Sequence, residues 1–102
     1  MHTSTDHDQE HHMPSRTATI ASSVGLHARP AALFVKQANE SGLDVQVARP
    51  GEEAVDATSI LGVMTLGAKH GEQVEITAEG KGAEQVLDAL VTLLETDLDA
   101  QG

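Results

Sequence analysis

The stretch Gly25 to Ala38, GLHARPAALFVKQA, decides how the rest of the chain is read. From Arg29 onward its apolar residues Ala31, Phe34, Val35 and Ala38 recur three or four apart, which predicts a helix with one buried face. Pro30 fits the first turn of that helix, where a missing N–H removes no helical hydrogen bond. Gly42 supplies a stop. Just ahead of the helix, Gly25 frees the loop, and His27 and Arg29 stand at the helix mouth. A titratable imidazole beside a permanent cation at that place asks for a chemical explanation.

Working outward, period-two and helical segments alternate. TATIA, residues 17–21, places Ala18 and Ile20 on one side of a first strand, and LDVQVAR places Val45 and Val47 on one side of a second. Pro50-Gly51 reads as a turn, and EEAVDA as a weaker third strand. TSILGVMTLG then forms a short helix with Thr58 or Ser59 available as N-cap and Gly67 as terminator. His70, in AKHGE, reads as a turn residue. EQVEITAEG aligns Val74, Ile76 and Ala78 on one face, and EGKGAE is a turn too short for a phosphate loop. From Ala83 to Leu98 the helical period returns through Val86, Leu87, Leu90, Val91 and Leu94, with Asp88, Thr92 and Glu95 on the wet side. The order β-α-β-β-α-β-α predicts an α+β fold, an antiparallel sheet with helices over one face.

The chain has 102 residues and no cysteine, so one modest core is expected and thiolate chemistry is excluded. Phe34 is its one aromatic residue, which leaves the core to aliphatic side chains. With 16 acids against 6 bases the formal charge is -10, which argues against nucleic acid and anionic membranes as partners. No apolar run approaches a membrane span and the N-terminus is polar, so a soluble cytoplasmic protein is expected. Residues 1–16 have no apolar period and read as a disordered extension, residues 17–98 as the domain, and residues 99–102 as a polar tail. Met13 offers an alternative start. The extension carries His2, His7, His11 and His12, and His7 and His11 share a face of a helix if one forms there. Nothing else in it builds a site, and no metal is assigned.

The physical case for chemistry rests on the helix mouth. A helix start holds N–H groups without helical partners and a partial positive charge, and it receives anions, phosphate above all. Arg29 adds a guanidinium fork matched to phosphate oxygens. Free imidazole titrates near ~6.5, and its neutral nitrogen is a nucleophile toward phosphorus. His27 therefore has two readings from the residues alone: a helix-capping loop residue, or the acceptor of a phosphoryl group cradled by Arg29 and the backbone.

GLHARPA resembles the phosphorylation-site signature of the HPr family, the histidine-containing phosphocarriers of the bacterial sugar phosphotransferase system. SILGVMTLG, Ser59 to Gly67, resembles that family's regulatory-serine helix, and the spacing of the two motifs is similar. The resemblance spans about Thr17 to Leu98. It implies an open-faced β-sandwich, four antiparallel strands covered on one face by three helices. It also implies that His27 takes a phosphoryl group on Nδ1 from Enzyme I and passes it to the IIA domain of a sugar permease, with Arg29 steadying the group. Ala28 and Pro30 occupy motif positions without a reactive group. Val24 stands where the family often carries a polar residue that orients the ring, and Ser23 lies one step back. Ser59 is implied as a phosphosite for an HPr kinase, and Ile60, Leu61, Val63, Met64 and Thr65 as the docking surface.

On this reading the chain is a monomeric phosphoryl carrier without a cofactor, not a turnover enzyme. The alternative is a regulatory binding module of the same fold, controlled at Ser59 and docking on regulatory proteins; the presence of His27 argues against that as its sole role. A nitrogen- or dihydroxyacetone-related branch is disfavoured by SILGVMTLG. A hydrolase using His27 with Ser22 or Ser23 lacks an acid placed to orient the ring.

Overall fold

Alternation along three strands explains the sheet. The computed structural model describes residues 14–96. In β4 (Gln73–Glu79), Val74, Ile76 and Ala78 are buried while Gln73, Glu75 and Glu79 face water. β2 (Asp44–Ala48) runs antiparallel beside it, with Val47 opposite Ile76 and Val45 opposite Ala78. β1 (Ser15–Thr19) flanks β4 on the other side, with Ala18 opposite Val74. β3 (Val55–Asp56) pairs with β2 and completes the order β1-β4-β2-β3. A slip of one residue in any of these pairings would turn the valines and isoleucines toward water.

The apolar face is covered by α1 (Ala28–Ser41), α2 (Ile60–Met64) and α3 (Ala83–Leu94). α1 contributes Ala31, Phe34 and Ala38 to the core, and α3 contributes Leu87, Leu90 and Leu94. Phe34, Leu87 and Leu90 are wholly buried against the sheet valines and Ile76. The expected α+β sandwich is the fold observed. Gly42 ends α1 in the left-handed region, at φ 72°.

Several boundaries differ from the sequence reading. β1 begins at Ser15 rather than Thr17, because Ser15 and Arg16 pair with Thr77 and Ile76. Arg16 also reaches Asp88 of α3 at 3.2 Å. Ile20 lies just beyond β1 and is buried, its N–H donating to Glu72 O. The weak third strand retains only Val55 and Asp56. α2 stops at Met64, short of Gly67. The histidines of the extension, Leu98 and the tail 99–102 lie outside the described residues.

α1 and α3 run in opposite directions. The end of α1 lies beside the start of α3, where Gln37, Glu40 and Ser41 share a shallow groove with Gln85, Val86 and Ala89. At the other end, Leu94 O accepts from Ala21 N–H, in the loop that leads into α1. The last turn of α3 and the first turn of α1 therefore bracket one end of the molecule. Among the described residues, no helix is long and apolar enough to cross a membrane.

Candidate functional site

His27 is the N-cap of α1. Its backbone is extended, at φ -92° and ψ -167°, and its carbonyl accepts the first helical bond from Ala31 N–H at 3.0 Å. Its half-buried side chain makes no capping hydrogen bond. The helix start is therefore short of committed donors. Pro30 has no N–H and Ala31 N–H is already bonded, which leaves the N–H groups of Ala28 and Arg29 without a partner inside the helix. With the partial positive charge of the helix start and the exposed Arg29 guanidinium, this is a setting for an anion.

The loop that delivers His27 rests on the segment after α2. Gly25 has φ +81°, and a Cβ there would come within 2.8 Å of Ala68 O. That same carbonyl accepts from Leu26 N–H at 2.9 Å. Within the loop, Gly25 N–H donates to Ser22 O at 3.0 Å and His27 N–H to Gly25 O at 2.9 Å. Ser22 O also lies 3.1 Å from His70 Nδ1. Gly71 N–H donates to Ile20 O, and Lys69 N–H to the Glu72 carboxylate, so the 69–72 turn and the loop before His27 form one hydrogen-bonded unit. His70 is thus a turn residue, as expected, but its ring contact was not legible: the partner is a backbone carbonyl 48 positions away.

Ser59 is the N-cap of α2, and its hydroxyl accepts from Gly62 N–H at 3.2 Å. The turn before it is fixed by Asp56, which accepts from Thr58 Oγ1 at 2.7 Å and Thr58 N–H at 2.9 Å. The bond from the Thr58 hydroxyl, then that from its N–H, hold the Asp56 carboxyl below its usual value. Asn39 of α1 donates to Thr58 O, joining α1 to this turn.

α2 lies against α1, and Leu66 and Ala68 beyond it enter the same core cluster as Leu26 and Ala31. His27, Arg29 and Ser59 therefore stand on adjoining elements. The proposed docking residues divide. Ile60, Leu61 and Met64 are exposed, at 40%, 74% and 40%, and Thr65 is exposed with its hydroxyl donating to Gly62 O. Val63 is wholly buried and leaves the docking set: it is the side of α2 that enters the core. Two exposed apolar residues were missed, Val24 in the loop and Leu33 on α1. Leu33 had a signal, being an apolar residue off the helix's buried face. Residues 17–28 and 57–68, which flank Arg29 in the loop and in α2, hold no acid, lysine or arginine in a chain of charge -10.

A broad hollow lined by Pro14 and residues 80–85 lies at the start of α3, the opposite end from His27. No group of three or more metal-ligating side chains is found among the described residues.

Comparison with known proteins shows the family. The PTS-HPr family model, described as the PTS HPr component phosphorylation site, matches residues 14–96. A phosphocarrier protein HPr of Haloferax volcanii is 49% identical over 82 residues, covering 79% of this chain and 92% of the relative. One from Streptomyces coelicolor is 37% identical, covering 85% and 94%. The crystal structure of a phosphocarrier protein HPr from Bacillus anthracis superposes with a TM-score of 0.76 at 38% identity, covering 81% of this chain and 98% of that one.

Proposed function

The chain belongs to the HPr family of phosphocarriers of the phosphotransferase system, and from that premise we propose that His27 accepts a phosphoryl group from Enzyme I and hands it to the IIA domain of a sugar permease. The observation that carries this reading is the helix start: an N-cap histidine set beside the Ala28 and Arg29 N–H groups and the Arg29 guanidinium. In the transfer, the lone pair of neutral His27 Nδ1 forms the bond to phosphorus as the bond to the donor breaks. The N–H groups and Arg29 receive the charge on the phosphoryl oxygens, and the return step reverses the same path. Ala28 contributes through its backbone alone. Turnover belongs to the partners, and this chain is the carrier between them in the cytoplasm.

Exposed Ile60, Leu61 and Met64, joined by Val24 and Leu33, form the apolar docking surface for both partners in this proposal. Phosphorylation of Ser59 by an HPr kinase would add about two negative charges to that apolar surface and weaken docking.

The test is incubation of the full chain with phosphoenolpyruvate and Enzyme I, followed by intact mass. The expected product carries one phosphate, loses it in mild acid, and does not form with His27→Ala. A labelled His27→Ala protein, or label that resists acid, would refute the assignment.

A further inference from the structure

The carbonyl of Ser22 closes the tight turn that presents His27, and it accepts two hydrogen bonds. One comes from Gly25 N–H at 3.0 Å, inside the turn, and the other from the His70 ring at 3.1 Å. A carbonyl only accepts, so the hydrogen in the second bond sits on His70 Nδ1. Ser22 is 2% exposed, which keeps water from replacing a lost donor cheaply. Backbone contacts also hold the loop: Leu26 N–H to Ala68 O, Gly71 N–H to Ile20 O, and the close approach of Gly25 to Ala68. His70 adds a side chain that reaches across to the turn. Its own turn is braced by Glu72, whose carboxylate accepts from Lys69 N–H and whose N–H donates to Lys69 O.

We propose that His70 is a positioning residue for the phosphoryl-accepting loop: its Nδ1–H holds the Ser22–Gly25 turn, and through it sets where the His27 ring stands. The inference rests on the carrier reading for its consequence and on the turn geometry for its cause. It acts through Ser22 and Gly25, and His70 touches no transferred group. A ring displaced by a fraction of an ångström loses alignment with phosphorus, so transfer responds more strongly than the fold does.

Two measurements on the full chain decide it. Ring nitrogen NMR of the unphosphorylated protein should find the neutral His70 hydrogen on Nδ1; finding it on Nε2 overturns the proposal. In His70→Ala, the Gly25 amide should exchange with solvent about five- to tenfold faster, and the His27 ring signals should shift, with far-ultraviolet circular dichroism unchanged. Transfer from Enzyme I should slow roughly tenfold. Unaltered Gly25 exchange and His27 signals in the variant overturn the proposal. Because the NMR readouts need no phosphoryl transfer, failure of the wild-type chain to accept phosphate would count against the carrier reading alone.

Discussion

The starts of α1 and α2 are built from similar parts and use them differently. At α2 the N-cap Ser59 hydroxyl accepts from Gly62 N–H, and Asp56 and Thr58 brace the turn before it. At α1 the N-cap His27 gives the helix only its carbonyl, and Pro30 removes one donor outright. At Ser59 the cap side chain takes up one first-turn donor, Gly62 N–H, and the cap carbonyl takes up Val63 N–H. The helix start at His27 takes up Ala31 N–H through the cap carbonyl alone and sets the imidazole beside the Arg29 guanidinium. Capping is worth about 1 kcal/mol to a helix, so leaving the cap side chain out of the α1 start is a sacrifice that makes sense where an anion is to be received. The support that α1 forgoes at its cap comes instead from a distance, through Ala68 and His70 behind the loop.

This contrast can be broken most sharply at His27. His27→Ala should abolish phosphoryl acceptance while the circular dichroism spectrum keeps its helical and sheet content. Arg29→Glu comes next: replacing the guanidinium with a carboxylate should slow transfer roughly a hundredfold while the midpoint of unfolding shifts little, since the residue is exposed. Equal single-turnover rates for this variant and the wild type would remove Arg29 from the site.

At the other helix the expectation reverses. Ser59→Ala should lower stability by about 1 kcal/mol in urea unfolding and leave phosphoryl transfer within a few fold of wild type. The smallest effect belongs to Asp56. Its folded carboxyl titrates below the unfolded one, so its ionised form stabilises the turn fully above the ordinary carboxylate range. That contribution fades as pH falls through the folded value. The stability difference between wild type and Asp56→Asn should thus be present at neutral pH and shrink in acid. A difference independent of pH would show that the charge on Asp56 is not what Thr58 holds.

Much of this was legible in the chain itself. Alternation in residues 44–48 and 73–79 and the helical period of α1 and α3 are long enough to declare their faces, and the sheet they imply is the one observed. The short elements were not so readable. α2 has five residues, too few for its period to say that Val63 enters the core while Ile60, Leu61 and Met64 stay outside. β1 gained Ser15 and Arg16 because β4 is long enough to pair with them, a fact that resides in the partner strand. At the site, His27 and Arg29 were visible through their place before a proline-led helix. His70 was not, because a side chain's bond to a distant backbone carbonyl leaves no mark in composition or spacing.

The central claim is that the cap side chain at α1 is kept for chemistry and the one at α2 for structure. The most direct test measures urea unfolding and transfer from phosphorylated Enzyme I on one pair of variants, His27→Ala and Ser59→Ala. The account predicts that the first loses transfer entirely and stays folded, and that the second loses about 1 kcal/mol of stability and still carries phosphate on His27. Transfer surviving in His27→Ala, or abolished in a folded Ser59→Ala, would contradict it.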